Sequence, residues 1–126
     1  MSNLVLDAGA LIAVERGDRT MMARLAVARE NGDELVTNAA AVAQAWRDGS
    51  TQVRLVRLLH ATKVSVVDLA AGQSAGELLG RSGTHDVVDA TVTLLARSGD
   101  IILTSDPIDL GALAEAAGIR VRIVPC

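Results

Sequence analysis

Short apolar runs alternate with helix-forming segments along the chain, and this alternation most constrains the fold. Five runs have the length and composition of β-strands, at residues 4–6, 34–37, 64–67, 101–104 and 121–124. The segments between them carry apolar residues at helical spacing and end at glycines. Strands that alternate with helices build a mostly parallel sheet covered by helices on both faces. The sequence therefore predicts an α/β fold with a five-stranded, mostly parallel sheet.

Composition indicates one domain and a protein without a membrane segment. The chain has 126 residues, half of them apolar, which suits a single core, so we expect one domain over residues 1–126. Cys126 is the only cysteine, which excludes an intrachain disulfide and a cysteine-based zinc site. We expect no signal peptide, because Asp7 interrupts the early apolar run, and no run approaches the about 20 apolar residues of a membrane span. We expect a cytoplasmic protein.

Charge is distributed unevenly although the net charge is only −3. Residues 47–63 carry four basic side chains and one acid, whereas residues 84–115 carry six acids and one arginine. An acidic region beside a basic one suits a metal site that also holds a polyanion. Solvated helix faces that happen to differ in charge are an equally good interpretation of this pattern.

Several aspartates should meet at one edge of the sheet. Asp7 follows the first predicted strand, and Asp106 follows the fourth. Asp86 and Asp89 lie at the start of the helix that precedes the fourth strand, and Asp109 lies three residues after Asp106. Ligands of open α/β sheets bind outside the carboxyl ends of the strands. Clustered carboxylates repel one another unless a cation compensates them. Three separate segments therefore predict a metal site.

The donor types indicate the chemistry. Oxygen ligands without histidine or cysteine favour hard ions such as Mg²⁺ or Mn²⁺, and such ions promote phosphodiester hydrolysis. Each acid also has a structural interpretation. Asp106 before Pro107 is an ordinary helix start, Asp86 and Asp89 suit a helix N-terminus, and Asp7 can cap the helix that follows it.

Four segments together resemble a known family. They are residues 6–13 (LDAGALIA), Thr37 with the Ala-rich helix that ends in Trp46-Arg47, residues 88–96 (VDATVTLLA), and residues 103–110 (LTSDPIDL). In order and spacing the chain resembles a PIN domain, specifically a VapC-type toxin ribonuclease of a bacterial toxin–antitoxin pair. The resemblance implies a three-layer α/β/α fold and a Mg²⁺- or Mn²⁺-dependent endoribonuclease.

The resemblance also assigns roles to the aspartates. It implies that Asp7, Asp89 and Asp106 are the catalytic, metal-binding acids, and Asp86 and Asp109 are plausible auxiliary ligands. It further implies an RNA substrate, a cognate antitoxin that neutralises the toxin, and a homodimer. Nothing in the sequence selects the RNA.

One position departs from the family pattern. Where such toxins have a glutamate on the Ala-rich helix, this chain has Gln44. Its carbonyl oxygen can still approach a metal, but it brings no charge and cannot act as a base. The alternative function is therefore a catalytically weakened PIN-like domain that acts mainly by binding RNA or a protein partner.

Substrate contacts are expected from basic and hydroxyl side chains near these acids. Arg47, Arg54 and Arg57 are candidates for RNA phosphate contacts, which position a substrate without reading its sequence. Thr104 and Ser105 are candidates for hydrogen bonds to the acids or the substrate.

Two other Mg²⁺-binding α/β classes fail on particular residues. A receiver domain requires an acidic pair after the first strand and a lysine after the fifth, but Asp7 stands alone and the chain reads Ile-Val-Pro-Cys after Arg122. A haloacid-dehalogenase-type phosphatase requires a second aspartate at the position of Gly9.

Overall fold

The computed structural model describes residues 2–126 and contains twelve elements, in which one or two helices separate consecutive strands. The strands are β1 (Asn3–Leu6), β2 (Glu34–Asn38), β3 (Lys63–Ser65), β4 (Ile101–Thr104) and β5 (Arg122–Pro125). The helices are α1 (Ala8–Glu15), α2 (Arg19–Glu30), α3 (Ala39–Ala45), α4 (Val53–His60), α5 (Leu69–Ser82), α6 (Val87–Thr93) and α7 (Pro107–Ala117).

The five strands form one sheet in the order β3-β2-β1-β4-β5, and every adjacent pair is parallel. The chain moves from β1 outward to β3 and then crosses back to β4 on the other side of β1. Because such crossovers are right-handed, α1 to α4 cover one face and α5 to α7 the other. The predicted α/β class and five-stranded sheet are confirmed, and the reversal of direction places a topological switch point between β1 and β4.

The core lies on both faces of the sheet. Leu4, Val5, Leu6, Ile102 and Leu103 from the two central strands are almost fully buried and belong to the main cluster. A second cluster joins three helices, with buried side chains from α5, α6 and α7. The α5 helix therefore packs on α6 and α7, and this packing fixes the two helices that carry most of the acids.

Two elements are shorter than the sequence predicts. The third strand covers Lys63–Ser65 instead of residues 64–67, and Val66 is 78 % exposed, because β3 is an edge strand with one neighbour. The apolar run that begins near His85 or Asp86 predicts a helix that continues to Ser98, whereas α6 ends at Thr93. Beyond it, the amides of Leu95 and Ala96 bond three residues back, which tightens the helix into turns.

Among residues 2–126, no helix has the length and apolar character needed to cross a bilayer.

Candidate metal centre

Asp7 is a buried carboxylate at the carboxyl end of β1. Its side chain is 3 % exposed and caps α1 by accepting a hydrogen bond of 2.9 Å from the Ala10 amide. The Thr104 hydroxyl and the amides of Gly9 and Ser105 also bond this carboxyl group. Burial raises the pKa of Asp7, and these hydrogen bonds oppose the rise without cancelling it. Asp7 therefore caps α1 and also lies in the candidate site.

The close approach of β1 and β4 at this edge requires Gly9. A Cβ atom at this position would lie 2.5 Å from the Ser105 Cβ and would overlap the Ser105 side chain. The segment after β4 can therefore bring its backbone amide to Asp7 only because residue 9 has no side chain.

The first turns of α6 and α7 bring the remaining acids together. The Asp86 carboxylate caps α6 by accepting a hydrogen bond of 2.9 Å from the Asp89 amide. Asp106 occupies the N-cap position of α7 without a side-chain capping bond, and burial followed by the neighbouring Asp109 carboxylate raises its pKa. One carboxylate oxygen each from Asp89, Asp106 and Asp109 lies within 4.8 Å of the others. This three-carboxylate group is hereafter called the acidic triad.

Mutual repulsion in this region is visible in the protonation of the acids. Burial, followed by the charges of Asp86, Asp7, Asp106 and Asp109, raises the pKa of Asp89 to about 7. Two groups beyond the triad, Asp7 and Asp86, thus act on Asp89 through their charges. Without a cation, the region holds a proton close to neutral pH, which is the expected property of a site that needs positive charge.

The donor set fits a hard divalent cation. The triad offers only carboxylate oxygens, which Mg²⁺ and Mn²⁺ prefer. Asp89 and Asp109 are half-buried, so solvent can reach the group and complete the coordination shell with water. Three carboxylates within 4.8 Å of one another can therefore hold a metal ion.

A buried hydrogen-bond network fixes α6 against the sheet. The Asn38 amide caps α3 through the Ala41 amide and donates to the Thr91 hydroxyl of α6 at 3.0 Å. The Thr37 hydroxyl donates to the Leu6 carbonyl at 2.7 Å, so β2 is bonded to the end of β1. The contact between Asn38 and Thr91 has no signal in the sequence, because the two residues are 53 positions apart and meet only in the folded chain.

The other predicted ligand, Gln44, lies exposed on the last turn of α3. This helix packs on α1 and α6, which carry Asp7 at the N-cap of one and Asp89 in the first turn of the other. The position is thus on a helix that borders the acids, and a ligand role for Gln44 stays a prediction.

The three arginines that are predicted to contact RNA phosphates lie in different surroundings. The Arg47 guanidinium donates to the Ala43 and Trp46 carbonyls and so folds back on the end of its own helix. Arg54 lies against the turn at Gly17, and Arg57 is exposed on α4. The structure thus leaves their contact with RNA a prediction.

Cys126 lies closer to the site than the sequence indicates. Its amide donates to the Thr104 carbonyl at 2.9 Å, and it lines a cavity with Gly9 and Ser105. Partial burial and then the Asp7 charge raise the pKa of its thiol to about 11. The thiol therefore stays protonated at neutral pH and does not act as a thiolate ligand.

Comparison with solved structures identifies the class of fold. The chain is similar to a chain of the VapBC2 complex from Rickettsia felis, solved bound to a DNA fragment from its promoter, with a TM-score of 0.64 at 11 % identity. The match covers 98 % of this chain and 99 % of the other. The chain has a PIN-like α/β fold, as its sequence resemblance to VapC-type toxins implies. No protein-family model matches the sequence, and no curated protein matches it significantly.

Proposed function

We propose that this protein is a Mg²⁺- or Mn²⁺-dependent endoribonuclease that acts as the toxin of a toxin–antitoxin pair. The observation that carries the proposal is the acidic triad at the switch point of a PIN-like sheet. Oxygen-only ligands beside a buried fourth carboxylate, Asp7, are suited to holding a cation against an RNA phosphate.

The residues of the site would have different roles in the proposed reaction. The carboxylates of Asp89, Asp106 and Asp109 would hold the ion, and Asp7 would add negative charge from the interior. A bound Mg²⁺ supplies Lewis acidity towards the phosphate and lowers the pKa of a coordinated water. Thr104 keeps the Asp7 carboxyl group oriented through its hydroxyl and receives the Asp106 amide at 2.8 Å. This shared threonine fixes two acids relative to each other.

Partners follow from the same proposal. The similar Rickettsia felis chain comes from a toxin–antitoxin complex, which supports a cognate antitoxin as the partner that blocks this site. RNA is the proposed substrate, and a homodimer in the cytoplasm is the proposed state. Arg47, Arg54 and Arg57 remain the candidate phosphate contacts, with Ser105 nearer the acids.

A second candidate function is a PIN-like module that binds RNA or protein with little catalysis. Gln44 favours it, because a neutral amide replaces the expected glutamate. The rise in the pKa of Asp89 to about 7 opposes it, since retaining repelling acids has a structural cost that cation binding would offset.

An RNA cleavage assay distinguishes the nuclease from the binding module. Purified protein is incubated with total RNA and with single-stranded oligoribonucleotides in Mg²⁺, in Mn²⁺ and in EDTA. We expect cleavage only with a divalent ion, and its loss in D7N. The matched control is D68N, because Asp68 caps α5 through the Ala71 amide and asparagine caps equally well. Absence of cleavage at high protein and Mn²⁺ concentrations would overturn the nuclease proposal in favour of the binding module.

A further inference from the structure

A shallow cavity, widely open to solvent, lies beside the acidic triad and is not needed to hold the ion. Its volume is about 500 Å³, and it is lined by Gly83, Thr84, His85, Asp86 and Asp109. The lining comes from the loop between α5 and α6 and from the first turn of α7. Asp109 is shared with the triad, so a ligand in this cavity would lie beside the metal centre.

We propose that this cavity binds one base of a single-stranded RNA, next to the phosphate that is cleaved, with the His85 ring stacked on the base. The proposal rests on the nuclease function and adds to it a base-binding subsite built from this chain's own residues. Sequence-specific proteins bind RNA chiefly through unstacked bases, which pack on planar side chains and bond through their edges.

Charge favours a base over a phosphate in this place. Asp86 and Asp109 contribute carboxylates to the lining, and these repel a phosphate that no metal neutralises. The same carboxylates accept N–H donors, as acidic side chains do from cytosine amino groups. One oxygen of Asp86 receives the Asp89 amide, and a carboxylate has capacity for further hydrogen bonds. A base with an amino group, such as guanine, therefore fits better than uracil.

The ring needed for stacking is supplied by His85. The sequence has no phenylalanine or tyrosine, and its planar rings are Trp46 and two histidines, His60 and His85. Trp46 packs so closely on Gly49 that a Cβ atom at residue 49 would come within 2.6 Å of the indole. His60 lies on α4, on the opposite face of the sheet from the helices that border the cavity. His85 is exposed and lines the cavity beside the acids. Histidine is among the side chains on which RNA bases stack.

The loop that forms the cavity is held in place without a ligand. The hydroxyls of Ser82 and Thr84 are hydrogen bonded at 2.8 Å. Gly83 ends α5 with φ of 71°, a left-handed conformation that favours glycine, and the space beside it is open for at least 4 Å. The cavity is thus preformed, which lowers the entropy cost of binding.

Stacking is tested with H85A and with H85F, which restores an aromatic ring. An oligoribonucleotide with 2-aminopurine at successive positions is bound in Ca²⁺, and its fluorescence is quenched where the base stacks. We expect quenching at one position in the wild type, its loss in H85A and its return in H85F. In cleavage assays we expect KM to rise about 5- to 150-fold in H85A, the range for losing one stacked base, with a smaller effect on kcat.

The control is H60A, which changes the same residue type on an exposed helix across the sheet. Thermal unfolding of all variants reports whether the fold is intact. Unchanged KM and quenching in H85A, or no recovery in H85F, would overturn the base site while cleavage by the wild type still supports the nuclease. Conversely, quenching that depends on residue 85 without metal-dependent cleavage would refute the nuclease and keep the base site.

Replacing guanosine by inosine, which lacks the amino group, should raise KM. An unchanged KM would refute the role of Asp86 as acceptor.

Discussion

Removing the charge of Asp89 should stabilise the metal-free protein at neutral pH. Its pKa is 3.8 in the unfolded chain and about 7 in the fold, so the native state holds a proton that the unfolded chain releases. The free energy of unfolding that this proton contributes is present below about pH 4 and is lost as the pH rises through 7. The rise corresponds to about 4 kcal/mol at about 1.4 kcal/mol per pKa unit. Because the side chain is only half-buried, solvent screening reduces it to about 1–2 kcal/mol.

D89N carries no charge at any pH and should keep the stability that the wild type loses. In EDTA, the melting temperature of D89N should exceed that of the wild type by about 3–8 °C at pH 8, and by about a third of that difference at pH 5. Mg²⁺ or Mn²⁺ should stabilise the wild type and have much less effect on D89N, since a ligand is missing. D68N is the control, with a pH profile parallel to the wild type. Parallel profiles for D89N and the wild type from pH 5 to 8 would refute the raised pKa and the repulsion behind it.

Two further substitutions test other parts of the site. Q44E should raise the affinity for Mn²⁺, measured by calorimetry, if residue 44 reaches the ion, and an unchanged affinity would exclude it as a ligand. T104V should lower the melting temperature by the equivalent of about 1–3 kcal/mol, because it removes a buried acceptor for the Asp106 amide and a donor to Asp7. T104S, which retains the hydroxyl, should restore most of that loss, and a T104V protein as stable as T104S would contradict the shared hydrogen bonds.

The sequence predicts best those elements whose ends carry local signals. The sequence predicts helices over residues 8–15 and 107–117 and a strand over residues 101–104. The bounds of α1, α7 and β4 agree with these ranges because each element has a polar residue or proline at its start and a clear apolar run. The end of α6 was predicted wrongly. Thr91 and Thr93 donate to the Val88 and Asp89 carbonyls, and such local bonds compete with regular helix. An apolar run alone does not show this competition.

Prediction of the site depended on contacts between distant segments. Parallel strands explain why Asp7 and Asp106 share one edge, and that could be predicted from the pattern of strands. The closure of Asp109 on Asp89, and the cavity beside His85, depend on how α5 packs against α6 and α7. That packing uses small and apolar residues with no signal for a particular partner. The sequence accordingly marked Asp109 only as auxiliary and did not include His85 in the site.

Membership of Asp109 in the acidic triad changes the meaning of Gln44. A PIN-like site with glutamine at its second acidic position has lost one charge, and the sequence alone indicates weaker metal binding. In the fold, Asp109 adds a carboxylate within 4.8 Å of Asp89 and Asp106, on the first turn of α7 where the helix dipole also favours an acid. The number of carboxylates near the proposed ion is thereby maintained without residue 44.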